Sequence, residues 1–372
     1  MNFELSDEQN ALQEAARDAL SRIDTVAAAR EALEDESKRA DLWETAEAAG
    51  WTGLLVPEEQ GGVGLGPLDA MLIAAEAGRT LAPVALLGHL PATLLAEGDE
   101  LQQLAAGEKR GAFVPAMPPT DLDHAWTVDP QSGLRRSPAP SLDGNKVTGR
   151  VHWVPDAAKA DLLVVIAVDG TEPKAVVIDP SQGGVKVEPV VSYDQTRPMA
   201  HVEFDAAEGK VVSASADDIA RAWSVAQGLI AAESLGSVEE ALERSVQYSK
   251  ERYTFGRQIG SYQAVKHALV EVLRLMENAR SLMYYAGWAG QDSPEQFTLA
   301  AHAFRVGAGE ALDFASRELI SVHGGIGATW EHDAPLFFRR AQLSRRLLGG
   351  TASAADRVAG ELLAEAGARP AA

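Results

Sequence analysis

The sequence predicts an α+β chain in three parts: an N-terminal helical domain over residues 1–112, a middle antiparallel β domain over 113–213, and a C-terminal four-helix bundle over 214–372. Three observations predict it. Apolar residues recur at helical spacing through the first part; short β-prone runs then replace that periodicity; helical spacing returns at Ala214 and lasts to the end of the chain. With 372 residues and 46% hydrophobic composition, there is material for more than one packed core.

In the first part, Ser6-Asp7-Glu8 offers an N-cap followed by acids in the first turn. Leu12, Ala15, Ala16, Leu20 and Ile23 follow at helical spacing. A second helix carries Leu42 and Ala46 and ends at Ala49-Gly50-Trp51. Residues 57–64 are dense in glycine and read as a loop, by residue type a surface connection. Leu68 to Ala82 is helical again, Pro83 stops it, and Leu86 to Leu104 adds one or two short helices.

The β-prone runs of the second part begin at Ala125-Trp126-Thr127-Val128 and continue at Lys146–Val154, Leu162–Val168, Ala175–Ile178, Val185–Val191 and His201–Phe204. Asp143-Gly144-Asn145, Asp169-Gly170 and Gly183-Gly184 separate them as turns. No long helices alternate with these strands, which disfavours a parallel Rossmann sheet and favours a small antiparallel barrel or sandwich. No GxGxxG follows a strand and no Walker A sequence occurs, so dinucleotide binding by those two routes is excluded.

In the third part, Asp217-Asp218 opens a helix to about Lys250, and a helix from Tyr262 to about Ala289 follows. Val265, Leu269, Val272, Met276, Ala279, Met283 and Ala286 alternate threes and fours along the latter, a coiled-coil-like seam. Ser293 and Pro294 are the N-cap and first residue of the next helix. That helix carries Phe304, Ala308, Ala311, Ala315 and Val322 on one face and stops at Gly324-Gly325. A last helix follows Thr351. Long helices with such seams make a bundle, and exposed seams make oligomers.

Composition narrows the function. The formal net charge is −21, which repels nucleic acid and anionic membranes. There is no cysteine, hence no disulfide, thiolate ligand or cysteine nucleophile. The eight histidines include no HExxH pair, and no metal is expected. MNFELSDEQN has no basic or apolar signal character, and no stretch approaches about 18 apolar residues. The expectation is a cytoplasmic protein without membrane insertion.

The chemistry-bearing stretch is Ser249 to Lys266, SKERYTFGRQIGSYQAVK. It breaks a helix at Phe255-Gly256-Arg257 and re-enters one after Gly260-Ser261. A new helix N-terminus directs free backbone N–H groups at one spot, which favours a phosphate, and Arg252 and Gln263 add donors. Residue type alone also fits a solvated basic face. HGGIG, residues 323–327, likewise fits a plain helix stop or a close backbone approach to a ligand.

The combination of ERYTFGRQIGSYQAVKH and VHGGIGATWEHD with FELSDEQ and GWTGLLVPEEQGGVGLG resembles the acyl-CoA dehydrogenase family over essentially the whole chain. In texture, with HGGIGATWEHD and Val154-Pro155-Asp156, it is most similar to short actinobacterial members associated with breakdown of steroid and other bulky acyl-CoAs. The resemblance implies FAD as cofactor and an acyl-CoA as substrate. In that family a carboxylate removes the α-hydrogen of the thioester and a hydride passes from the β-carbon to the flavin. Arg252, Thr254, Phe255 and Gln263 match the arm that binds adenine and pyrophosphate of a neighbouring subunit's flavin, together with Ser321 and the turn at Gly324-Gly325.

The family pattern is broken at several positions. Its base lies in a Glu-Gly-Thr sequence, and the matching segment here is Leu348-Gly349-Gly350-Thr351. The alternative base position of some relatives is Ala226. Ser321 stands where a glutamine contacts FAD. Val114-Pro115-Ala116-Met117-Pro118-Pro119-Thr120 replaces the threonine-glutamate-proline stretch that cradles flavin and substrate. No catalytic base is therefore assigned. The resemblance implies a subunit of an α2β2 assembly whose second, acyl-CoA dehydrogenase-like chain carries the glutamate, with an electron-accepting flavoprotein as further partner. Two alternatives stay open: a self-sufficient homotetramer with Glu233 as base, although about 10 Å of helical rise separates Glu233 from Ala226, and a non-catalytic structural subunit.

Overall fold

The computed structural model describes residues 4–115, 127–128 and 136–368. The segment Ala116–Thr120 and the start of the run Ala125–Val128 lie outside the described residues.

Six helices build the N-terminal part: α1 (Asp7–Ser21), α2 (Thr25–Glu31), α3 (Trp43–Ala48), α4 (Pro67–Arg79), α5 (Leu86–Thr93) and α6 (Gly98–Ala105). Ser6 caps α1 as expected, in a full capping box: Gln9 N–H donates to Ser6 Oγ at 3.2 Å, and Ser6 N–H donates to Gln9 Oε1 at 3.1 Å. Ala16 and Leu20 are buried. Ile23 lies beyond the end of α1 and is exposed, so it does not belong to the apolar stripe.

The strands are β1 (Gly111–Val114), β2 (Thr127–Val128), β3 (Arg136–Ser137), β4 (Ser141–Asp143), β5 (Lys146–Pro155), β6 (Leu162–Asp169), β7 (Glu172–Ile178), β8 (Val185–Pro189), β9 (Met199–Glu208) and β10 (Lys210–Val211). Apart from the β2–β3 pair, they form one sheet in the order β10-β7-β6-β4-β5-β9-β8, with β1 also on β6. Two pairings depart from the antiparallel expectation: β1 and β4 both run parallel to β6 and share one edge of it, β1 along Leu162–Val165 and β4 at Val168. The reason lies in β6 itself. Its first six residues, Leu-Leu-Val-Val-Ile-Ala, are all buried, so both faces are covered, the condition under which parallel pairing is found.

The bundle contains α7 (Ala216–Glu251), α8 (Gln263–Asp292), α9 (Pro294–His323) and α11 (Gly350–Ala368), with the short hairpin β11 (Tyr253–Thr254) and β12 (Arg257–Gln258) between α7 and α8, and α10 (Ala334–Ser344) between α9 and α11. The α8 seam is buried from Val272 to Ala286, whereas Val265 and Leu269 are only half-covered. On α9 the face Phe304, Ala308, Ala311 and Ala315 is buried.

The N-terminal part is joined to the bundle where α4 crosses α7. A Cβ on Gly78 would lie 2.0 Å from the Glu233 carbonyl oxygen, and one on Gly236 would lie 1.8 Å from that of Ala75. The two backbones therefore touch through glycines on both sides, and Ser237 Oγ donates to Gly78 O at 2.8 Å across the contact. Gly236→Ala is expected to destabilise the chain by about 3 kcal/mol through overpacking, measured as a lower midpoint in urea unfolding.

Candidate functional site

The arm begins where α7 ends. Arg252 closes the helix, its N–H donating to Tyr248 O at 2.8 Å, and the chain turns through β11 and β12. Phe255 and Gly256 form the two-residue tip with φ of 53° and 77°. Positive φ at both positions is the geometry whose twist matches a tight hairpin, and Asn-Gly is its preferred sequence. Phenylalanine at the first position is strained by about 1–3 kcal/mol, and here it is 92% exposed. A strained and exposed aromatic contributes nothing to the fold of this chain. Phe255→Asn is therefore expected to raise the stability of the isolated chain, seen as a higher thermal midpoint.

The hairpin is folded back on α8. Tyr262 Oη donates to Thr254 O at 3.0 Å, the Arg257 guanidinium lies 4.0 Å over the Tyr262 ring, and Ile259 N–H donates to Arg252 O at 2.8 Å. No side chain caps the N-terminus of α8, and Gln263 is exposed in its first turn. Arg252, Arg257 and Lys266 are exposed here, and among the described residues no carboxylate lies in ion-pair contact with any of them. In a chain of net charge −21, this uncapped helix start with cations beside it has the local charge and free N–H groups that favour an anion.

The second segment is the end of α9. Gly324 has φ 65° and ψ −138°, and Cβ atoms built on Gly324 and Gly325 would meet nothing within 4 Å. The turn is thus open enough for a planar or phosphate-bearing ligand to rest on its backbone. Ser321 is exposed one turn earlier. The two segments are neighbours, because the Tyr248 ring on the last turn of α7 stacks on His323 with ring centroids 4.2 Å apart. These features fit the phosphate-bearing half of a nucleotide cofactor.

The two positions at which the resemblance places a base are also brought together. Gln227, next to Ala226, donates from Nε2 to Leu348 O at 2.9 Å, next to Gly349. Neither Ala226 nor Gly349 can accept a proton. Gln227 is buried and its Oε1 has no partner among the described residues. Arg305, fully buried, donates from Nη2 to Ser344 O and, at 3.3 Å, to Leu347 O, so it holds the same turn from the other side.

Glu233 does not face that place as an open acceptor. Its carboxylate is paired with Arg197 and lies 3.7 Å from Arg340, both guanidinium groups being buried. Arg340 also contacts Asp194 at 3.1 Å and Thr196 O at 2.8 Å. Burial opposes the charge of Arg197, and the carboxylates of Glu233, Asp156 and Asp194 overcome it, raising its pKa. Held between two buried guanidinium groups, this carboxylate is not placed as an open acceptor for a substrate proton, a geometry that does not favour the expectation of Glu233 as a substitute base. Asp156, at the end of β5, is buried as well. Burial pushes its carboxyl up to about 6, while its Oδ2 accepts the Gly88 N–H at 2.8 Å near the start of α5.

Sequence reading missed Arg197, Arg340 and Asp194, which carry no local signal and meet Glu233 only through the fold. Gln227 could have been found by asking what stands beside Ala226. His323 and His332 lay inside the quoted glycine-turn motif but were given no role. Among the described residues no group of His, Asp and Glu is arranged to hold a metal, and no helix is long and apolar enough to cross a membrane.

Helical part, sheet and bundle, in that order, define the class as an α+β fold built on a helical bundle. Residues 6–117 match the acyl-CoA dehydrogenase N-terminal domain and residues 219–363 the C-terminal domain, and the chain belongs to the acyl-CoA dehydrogenase family, FAD-dependent oxidoreductases. It is 32% identical to acyl-CoA dehydrogenase IpdE2 of Mycobacterium tuberculosis, over 92% of this chain and 93% of that one. It is also 32% identical to acyl-CoA dehydrogenase FadE34 of the same organism over 98% of its own length, which spans 49% of FadE34. Among solved structures, a variant of the Tcur3481-Tcur3483 steroid ACAD superposes with a TM-score of 0.85 at 25% identity, covering 97% of this chain and 99% of that one.

Proposed function

We propose that this chain is a cytoplasmic subunit of an FAD-dependent acyl-CoA dehydrogenase that converts a saturated, bulky acyl-CoA, such as one bearing a steroid side chain, to its 2,3-enoyl-CoA. A second dehydrogenase-like subunit, in an α2β2 assembly, carries the catalytic glutamate. Arg252, Thr254, Phe255 and Gln263, with Ser321 and the turn at Gly324-Gly325, grip the adenine and pyrophosphate of the flavin bound mainly by that partner. FAD, when bound, would supply the hydride-accepting chemistry for the β-carbon, and the partner's glutamate would take the α-proton. An electron-accepting flavoprotein reoxidises the assembly. This chain's own part is to orient the cofactor through charge-assisted and backbone hydrogen bonds.

The observation that carries this reading is the junction of Gln227 and Leu348, where both family base positions meet and neither holds an acid. The nearby candidate, Glu233, is engaged by Arg197 and Arg340. The pairing of Tcur3481 with Tcur3483 in a steroid ACAD supports the assembly and the substrate class, and the likeness to IpdE2 supports an acyl-CoA dehydrogenase. Expression alone and with a glutamate-bearing dehydrogenase chain tests it. Turnover of an acyl-CoA with an artificial electron acceptor is expected only for the co-expressed pair. Yellow, active protein from this chain alone would sink the partner model. Arg252→Ala in the pair is expected to lower flavin content, and unchanged flavin would point to a structural subunit instead.

A further inference from the structure

We infer that Tyr248, His323 and His332 form an aromatic clamp that sets the distance between the arm and the glycine turn, and so act as positioning residues for the phosphate-bearing half of the cofactor. The inference rests on the reading that the arm receives a flavin.

The two binding segments leave the ends of different helices, α7 and α9, and both face outward. Phosphate recognition needs their donors held to within about 0.5 Å. The rings supply a link at that point. Tyr248 lies one turn before Arg252 and its carbonyl accepts the Arg252 N–H, so a shift of the ring is a shift of the arm. Its ring stacks on His323 with an interplanar angle of 29°. His323 is the residue before Gly324, so the ring it presents and the turn it leads into move together.

The histidines are themselves oriented. His323 Nδ1 lies 2.7 Å from Leu319 O and must carry a proton to donate there. The following turn closes over this ring: a Cβ on Gly327 would lie 2.7 Å from both His323 Cβ and Ile320 O. The His332 ring lies 4.4 Å from that of His323, and its Nδ1 accepts the Ala334 N–H at 3.1 Å. The adjacent Asp333 is paired with Arg30 on α2 and, at 2.7 Å, with Arg244 on α7. The clamp is thereby anchored both to the N-terminal part and to the helix that carries the arm. Ring stacking defines a spacing and an angle, which aliphatic packing of the same bulk does not.

The test uses the full-length chain in the assembly in which it purifies, with FAD as the probe and fluorescence titration as the readout. His323→Leu keeps apolar bulk without the ring and is expected to weaken FAD binding about fivefold. His323→Phe restores the ring and is expected to restore FAD binding. Arg252→Ala is the control for the underlying reading. If it weakens FAD and His323→Leu does not, the clamp is wrong and the arm stands. If Arg252→Ala leaves FAD binding unchanged, the arm falls and the clamp with it. Failure of His323→Phe to restore binding overturns the clamp. Should His323→Leu not fold, His332→Leu takes its place, and FAD binding like the parent's overturns the proposal.

Discussion

Replacing Glu233 by alanine is expected to cost the folded chain about 3–5 kcal/mol, the penalty for stranding buried cations. Arg197 and Arg340 are 5% and 3% exposed at the side chain and would keep only Asp194 and Asp156 as nearby acids. Glu233→Gln, which keeps the shape and an acceptor oxygen but removes the charge, is expected to cost less. Urea unfolding at neutral pH measures both. The same variants settle the role of this residue in chemistry. Were Glu233 the base, Glu233→Gln would abolish turnover of the assembly while leaving its stability nearly intact. The ion-pair geometry predicts the reverse order: stability falls first, and turnover by folded protein survives.

Acidification is expected to destabilise the chain by about 1.4 kcal/mol per pH unit between pH 6 and pH 4. Burial lowers both His89 and His302 to about 4. His89 Nδ1 accepts the Gly111 N–H at 2.9 Å, and its Nε2 lies 3.1 Å from Thr52 O. His302 Nδ1 lies 2.7 Å from Thr298 O, and its Nε2 accepts the Trp223 Nε1–H at 3.1 Å. Each is locked in one neutral tautomer by a donor on one side and an acceptor on the other. A folded value below the unfolded one means that the unfolded chain takes up the proton first. Stability is therefore full above about pH 6.5 and is lost as the pH falls toward 4. Asp156 works against this loss. Its folded value of about 6 exceeds the usual carboxylate range, so burying it is costly above pH 6 and the cost disappears as it protonates. Two protons gained on unfolding and one released leave a net uptake of about one. Unfolding free energies measured at pH 7, 6, 5 and 4 check the slope. A flat profile across that window would refute the assignment.

The helices were legible in the sequence because their apolar spacing is local. The seam from Val272 to Ala286 on α8, the cap at Ser6 and the stop at Gly324 all follow from residues within a few positions of one another. The helix break was legible for the same reason, since Phe255-Gly256, the new helix start and the cations are contiguous from Arg252 to Lys266, whereas the hairpin itself was not. What could not be read was created by the fold. The parallel partners of β6 come from separate places in the chain. α10 carries no clear local helical signal because its buried face alternates with arginines, one of which, Arg340, turns inward to meet Asp194 and Glu233. The contact of Gln227 with Leu348 joins positions that no spacing rule connects, next to Ala226 and Gly349.

The turn that follows α10 limits which residues its backbone can accept. Leu348, Gly349 and Gly350 have successive φ values of 51°, 80° and 74°, and a Cβ on Gly350 would lie 2.5 Å from the Arg345 carbonyl oxygen. Glutamate at position 349 would have to adopt a backbone region that L side chains rarely occupy. A single Gly349→Glu substitution would thus yield a strained turn rather than a well-placed carboxylate. An acid at this point of the turn would need changes in the surrounding backbone as well as in the side chain.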